Sequence, residues 1–362
     1  MSADRSVTLV TRSMRLSGGV LVLVHYANGL VARGYRVDFV TSAGGAEPEV
    51  QDKLSPHIRV HAADLTIEQA ANLGGKARLS WQMAQQVPRC DTILATHTPT
   101  VVPTLLARHL LRRGRRAVWF HQDHPDTFEG RPIEKWLLRH AARWFERVIT
   151  VSEVNRREIE RTSGVAARVV PQGYSLSTAE EVPEQAAPLP GTKTILYIGD
   201  RRPRKGWGDF LAAAELLYRH HPDLSLAIVT KEAGTVDTLV PHDIYLRPSW
   251  TELVRLYCSC RVFVSASWLD SFGRPPLEAM ACGTPVVTTD SQGVREYAKD
   301  GINCLMTPIQ DPAALAAAID RVLSDETLAR RLAWAGRQTA LEFTWERAVA
   351  SFVEALEADQ CL

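Results

Sequence analysis

Long apolar runs are missing from these 362 residues: none approaches the roughly 20 residues that a membrane-spanning helix requires. Ahead of the β-branched run Val7-Thr-Leu-Val10 stand only Met-Ser-Ala-Asp-Arg-Ser, with no basic region, apolar stretch and cleavage site. A secretory signal is therefore not expected, and a cytoplasmic location is. Cysteine is scarce, six in all, and Cys90, Cys258, Cys260, Cys282, Cys304 and Cys361 form no paired C-x-x-C array. Cys258-Ser-Cys260 has no second pair at metal-site spacing, which speaks against a zinc site and for ordinary reduced thiols. Short-period repeats and low-complexity tracts are lacking too, so a repeat architecture is not expected. A large excess of one charge is also absent, the net charge being +1, and no nucleic-acid partner is expected.

What is present is ordinary for a soluble globular protein, with 45% hydrophobic and 23% charged residues. The length suits two domains of about 150–200 residues each. The small net charge is unevenly spread: residues 1–175 carry 24 basic and 16 acidic side chains, the remainder 18 and 25. A basic half beside an acidic half admits two readings, an anionic acceptor or membrane surface on one side, or two domains that attract one another across a cleft.

Short apolar strands alternate with helical spacing along the chain. Strands are expected at Val7–Thr11, Arg36–Thr41, His57–His61, Thr92–Thr96, Ala117–His121 and Val148–Val151. Helices are expected at Val20–Arg33, Val101–Arg113, Ile133–Phe145 and Glu153–Thr162. A proline-rich polar stretch, 176–192, reads as a linker. The alternation then restarts with strands at Thr194–Ile198, Leu224–Thr230, Val262–Ser265 and Pro285–Thr289. Helices at Gly208–His220, Thr251–Tyr257, Pro276–Cys282, Ala313–Leu323 and Thr327–Ala340 go with them. The rhythm implies α/β architecture with two Rossmann-like, doubly wound domains facing a cleft, at 1–175 and 193–340. An amphipathic helix within 341–362 closes the chain and is a candidate to cross back to the first domain.

Two segments carry chemistry. In Asp270-Ser-Phe-Gly-Arg-Pro-Pro-Leu-Glu278 two carboxylates stand eight residues apart around a glycine turn and a Pro-Pro helix start. Amides from Ser271 through Phe272 and Gly273 to Arg274 can receive an anion there, with hydroxyl groups held by Asp270 and Glu278. A helix-capping role is the alternative for Asp270. Gly199-Asp-Arg-Arg-Pro-Arg-Lys205-Gly206 follows a strand directly, and its Arg201, Arg202 and Lys205 suit diphosphate oxygens. Such a pair of sites fits a sugar joined to a nucleoside by a diphosphate. A run of His109, Arg112, Arg113, Arg115 and Arg116 reads either as a solvated face or as a contact for anionic lipid or an acidic acceptor.

With these motifs the chain resembles the retaining glycosyltransferases of family 4, which have the GT-B fold. The Asp270–Glu278 string is similar to their E-x7-E donor motif, and Gly199–Gly206 to their arginine–lysine diphosphate loop. Gly293-Val-Arg-Glu296, Asp300-Gly-Ile-Asn, Val151-Ser-Glu and Pro171-Gln-Gly-Tyr match further along. The resemblance implies that Asp270 contacts donor sugar hydroxyls and Glu278 the ribose; the first position is aspartate here, one methylene shorter than the usual glutamate. Arg201 or Arg202 stands for the family arginine. Gly18 and Gly19, after the first strand, resemble the glycine loop whose amides approach the diphosphate. His121 resembles the histidine near the reacting carbon, with His97 and His124 as weaker candidates. Base contacts are expected near Thr230–Lys231 and Arg247–Ser249.

The resemblance thus implies transfer of a sugar from a nucleotide-diphosphate sugar to a glycan, lipid-linked or small-molecule acceptor. Configuration is retained by front-face attack, and no metal or other cofactor takes part, since no DxD-type metal motif is present. Contact with the inner face of a membrane through the basic half accompanies that reading. A sugar-nucleotide epimerase, a sugar phosphorylase and a non-catalytic sugar-nucleotide-binding subunit are the alternatives.

Overall fold

The computed structural model describes residues 5–123, 128, 130–174 and 193–358. The expected linker at 176–192 lies outside the described residues, as do His124 and Cys361. The chain divides into two compact units, Met1–Gln172 with Trp345–Leu362, and Gly173–Thr344.

In the first unit the elements run β1 (Ser6–Val10), α1 (Gly18–Val31), β2 (Arg36–Thr41), α2 (Pro48–Gln51), β3 (Arg59–Ala62), α3 (Leu73–Gln86) and β4 (Cys90–Ala95). They continue with α4 (Val101–Leu105), β5 (Gly114–His121), α5 (Pro132–His140), β6 (Arg147–Thr150), α6 (Glu153–Ser163) and β7 (Ala167–Val169). The strands form one sheet of order β3-β2-β1-β4-β5-β6-β7, parallel throughout. Helices on both faces bury these strands, so β1 is buried along its whole length.

The second unit runs β8 (Lys193–Ile198), α7 (Trp207–Tyr218), β9 (Leu224–Thr230), β10 (His242–Leu246), α8 (Trp250–Ser259), β11 (Val262–Ser265) and α9 (Arg274–Ala281). It ends with β12 (Val286–Thr289), β13 (Leu305–Thr307), α10 (Pro312–Ser324) and α11 (Glu326–Ala340). Its sheet has the order β10-β9-β8-β11-β12-β13 and is again parallel.

The last helix, α12 (Trp345–Glu357), belongs to the first unit. Its apolar face lies on α1, where Trp345 stacks on His25 at 4.3 Å and Phe352 on Tyr26 at 4.4 Å. At its C-terminus Arg147 donates to the carbonyls of Ala355 and Leu356 at 2.6 and 2.7 Å, covering acceptors the helix leaves unpaired.

The departures from the sequence reading have local causes. Helix α3 was not expected, because Gly74-Gly75 and a polar composition weaken its period. Asn72 starts it by accepting from the Gly75 amide at 2.7 Å, and Leu79 and Met83 anchor its buried face. The helix expected over Val101–Arg113 is α4 followed by one π turn at Leu106–Leu110, and it ends before Arg112, whose φ is 52°. The helix expected over Ile133–Phe145 is α5 followed by a 3-10 turn at Ala141–Trp144. Strands β7, β10 and β13 were not expected; all three are short sheet edges without a long apolar run. Among the described residues no helix is long and apolar enough to cross a membrane.

Candidate functional site

In a doubly wound sheet the loops beyond the carboxyl ends of the strands part where the strand order reverses, and ligands bind there. In the second unit that point lies between β8 and β11. The loops that follow these two strands are Gly199–Gly206 and Ala266–Gly273, the segments singled out by their chemistry.

Gly206 holds the first loop against the second. It adopts φ 63°, and a Cβ there would stand 1.8 Å from the carbonyl oxygen of Ala266. Only glycine permits that approach. The loop before it is further tied by Tyr197, whose hydroxyl donates to the carbonyl of Lys205 at 2.7 Å, and by the Trp268 amide, which donates to Arg204 at 2.8 Å.

The cations of this loop take different partners. Lys205 donates to Asp270 Oδ1 at 2.6 Å, and Arg204 Nη1 stands 3.8 Å from the same oxygen. Arg202 bonds the buried carboxylate of Asp200 through Nε at 2.7 Å, and Lys231 Nζ is 3.5 Å from that group. Burial alone would raise the Asp200 carboxyl; Arg202 and Lys231 outweigh it and hold the group at about 2. Arg201 turns elsewhere, with Nη2 on the Thr235 carbonyl at 2.5 Å and its guanidinium 5.7 Å from the Trp207 ring centre. Of the expected diphosphate cations, then, Lys205 stands beside Asp270 and Arg202 on Asp200, which Lys231, expected near the base, also approaches. Arg204 was not chosen from the sequence, although the basic loop itself was the signal for it. Burial, with the neighbouring charge of Arg202, lowers its pKa.

Helix α9 begins at Arg274 with Gly273 at its N-cap, in a left-handed conformation and without a side-chain cap. Asp270 therefore does not cap this helix. The amides of Ser271, Phe272 and Gly273 make no hydrogen bond among the described residues. The Phe272 side chain is buried against Tyr297 and Phe343, at 5.6 and 6.2 Å between ring centres, so the backbone of this residue is what remains to meet a ligand. The turn is pinned from behind by Gly293, where a Cβ would stand 2.3 Å from the Asp270 carbonyl oxygen and 2.5 Å from the Phe272 nitrogen.

Glu278 lies in α9 and is buried. Its Oε2 accepts from the Tyr257 hydroxyl at 3.0 Å, and its Oε1 stands 3.4 Å from Arg274 Nη2 without a hydrogen bond. Burial, reinforced by the Glu278 charge, pushes the Tyr257 hydroxyl well above its ordinary pKa and keeps it a donor. One carboxylate oxygen thus has an acceptor site to offer. The two expected carboxylates differ: Asp270 is engaged by Lys205, and Glu278 is held in place by Tyr257.

In the first unit the corresponding reversal lies between β1 and β4. Ser17 caps α1 by accepting from Val20 at 3.3 Å, which puts Gly18 and Gly19 in the first helical turn. A Cβ on Gly19 would meet no atom within 4 Å, so no packing inside the chain requires glycine there. His121 ends β5 at the same edge of the sheet, buried edge-on against Trp119 at 4.9 Å. His97 follows β4 with Nδ1 3.0 Å from Thr96 Oγ1, and burial lowers its pKa. The run Arg112–Arg116 lies at the opposite, amino end of β5, where Arg116 donates to Thr92 at 2.7 Å and Arg115 stands 3.3 Å from Asp91. Among the described residues no three His, Cys, Asp or Glu side chains gather as a metal site.

Residues 16–178 match the family described as Glycosyltransferase Family 4, and residues 179–339 match Glycosyl transferases group 1. A D-inositol 3-phosphate glycosyltransferase of Geodermatophilus obscurus is 41% identical over 394 residues, covering 94% of this chain and 85% of the relative. A glycogen synthase of Mycobacterium tuberculosis is 29% identical over 256 residues, 68% of this chain. The match spans 60% of that relative's length. Among solved structures, HepE of Anabaena in complex with UDP and glucose aligns with a TM-score of 0.78 at 18% identity, over 97% of this chain and 99% of that one. A sucrose-phosphate synthase of Thermosynechococcus elongatus aligns with a TM-score of 0.77 at 19% identity, over 97% and 98%. At such identities the likeness concerns the fold, two Rossmann-like domains of the GT-B type.

Proposed function

The chain belongs to the group 1 glycosyltransferases of family 4, and on that premise we propose that it transfers a sugar from a nucleotide-diphosphate sugar to an acceptor hydroxyl with retention of configuration. The observation that carries this reading is the grouping of Lys205, Arg204 and the amides of Ser271, Phe272 and Gly273, which are unbonded among the described residues, at the reversal point of the second sheet. Cations and amides fixed in place favour charge developing on a leaving diphosphate, and removing one such donor commonly costs about 10²–10³ in rate.

In this mechanism the bond from the anomeric carbon to the diphosphate oxygen breaks as the acceptor oxygen approaches the same face. The acceptor proton passes to the departing phosphate. Lys205 is the cation nearest that phosphate, and Asp270 orients its ammonium while facing sugar hydroxyls. Glu278 Oε1 receives a ribose hydroxyl. Arg201 or Arg202, released from their present partners, adds to the diphosphate site, with Lys231 beside it. His121 and the amides of Gly18 and Gly19 act from the first unit. These side chains do the work of a cation, so no metal ion is needed.

The test begins with thermal shifts against UDP-, GDP-, ADP- and dTDP-sugars, since a ligand of the folded state raises apparent stability. One donor class is expected to bind, to support transfer in the presence of EDTA, and to give a retained anomer by NMR. An inverted product, or activity abolished by EDTA, overturns the corresponding part of the mechanism. Binding without turnover of any donor overturns catalysis. Sugar phosphate released with inorganic phosphate alone, or a free epimerised sugar, marks a phosphorylase or an epimerase instead.

A further inference from the structure

The first unit contains a cavity of about 200 Å³. Leu79 and Met83 of α3, Val102 of α4 and Leu137 of α5 form much of its wall, and Arg12, two residues beyond β1, reaches it from the sheet. It is smaller than a site that encloses a whole drug-sized molecule. Its apolar lining continues outward at the surface through Leu73, 66% exposed, and Ile133, 49% exposed.

Charge in this cavity is not balanced. Lys76 and Glu134 face each other at 2.9 Å. Arg12 is half-buried and makes no hydrogen bond or ion pair among the described residues. Burial, with the charge of Arg131, lowers its pKa. The two carboxylates that act against this, Glu134 and Glu68, are already taken, by Lys76 and by Arg15 at 3.1 Å. A guanidinium against apolar walls without a partner is costly, and an anion in the cavity relieves it. A free sugar calls for many hydrogen-bonding groups, whereas among the described residues the polar members of this lining are Arg12, Lys76, Ser80 and Glu134. Charge complementarity and the apolar wall together specify a molecule with one anionic group and a hydrocarbon or aromatic body.

We propose that this cavity binds an amphiphile with a single anionic head group, the head on Arg12 and the apolar body along α3 and α5. Resting on the transferase reading, this ligand is the acceptor: a hydroxyl-bearing amphiphile whose head sits beside the loop after β1.

The test uses the full chain without donor and titrates decyl phosphate below its micellar concentration, decanol and inorganic phosphate. Decyl phosphate is expected to bind one to one and at least tenfold tighter than either fragment. Arg12→Gln is expected to weaken it tenfold or more. Ala77→Trp, which fills the mouth from an exposed position of α3, does the same, with circular dichroism verifying that both variants fold. No binding, many equivalents bound, or equal affinity in all three proteins overturns the site. The acceptor assignment is read separately: decyl phosphate should inhibit sugar transfer competitively with the acceptor, and tight binding without such inhibition overturns it. A sugar-nucleotide thermal shift on the same proteins tests the transferase reading independently, so each can fail alone.

Discussion

The two units place cations at equivalent points of similar parallel sheets and treat them in opposite ways. In the second unit Lys205 has Asp270, and Arg202 and Lys231 have Asp200. In the first, Arg12 has no such partner among the described residues and stands against apolar walls. Paired cations are held in position by their carboxylates. An unpaired, half-buried one gains most from a ligand that brings both an anion and apolar surface. On the proposed reading, one fold serves two chemistries through its loops.

The comparison breaks most visibly at Gly206. Gly206→Ala forces a methyl group onto the Ala266 carbonyl in a left-handed conformation. It should destabilise the second unit by about 3 kcal/mol or more, measured by urea unfolding, and abolish donor binding. A silent substitution would mean that the two loops are not held as described.

Lys205→Ala should lower kcat about 10²–10³-fold in a transfer assay, with stability less affected than by Gly206→Ala. An unchanged rate would remove this lysine from the leaving-group site.

Asp200 offers a pH test. Its carboxyl titrates at about 2 in the folded chain against an ordinary 3.8. A depressed carboxyl stabilises the fold above the ordinary value, and that contribution is lost as pH falls through about 2. Asp200→Asn should therefore cost about 2 kcal/mol near pH 6, the gap from wild type closing toward pH 2 in parallel denaturation curves. A gap independent of pH would contradict the ion-pair account.

The smallest effect belongs to the first unit. Arg12→Gln should leave unfolding free energy within about 1 kcal/mol of wild type, or raise it slightly, because no partner is orphaned. A loss as large as that of Asp200→Asn would erase the contrast between the units.

Much of this was legible in the residues. Pro275 and Pro276 mark the start of α9, and the strand before Gly199 places the basic loop at a ligand-binding edge. Alternating strands and helices gave the two-sheet architecture, because periodicity is local. The partners of the charged groups were less legible. Arg201 suits a diphosphate by its place in the basic loop, yet its side chain bonds the Thr235 carbonyl while Arg204 lies beside Asp270. Residues four apart in a loop point in directions set by groups outside it, here the Trp268 amide and the Tyr197 hydroxyl. Helix α3, and with it the cavity, escaped notice because its polar, glycine-containing sequence becomes helical through the Asn72 cap and the burial of Leu79 and Met83.

By itself, then, the sequence determined the fold class, the family, and the segments from which the proposed donor site is built, since backbone preference and apolar spacing act over a few residues. Tertiary structure alone decided that Asp270 holds Lys205, 65 positions away, and that among the described residues Glu278 keeps one buried oxygen without a hydrogen bond and Arg12 has no partner. Each of these depends on which long side chains meet across separate loops, and such meetings are fixed only when the sheets bring those loops together.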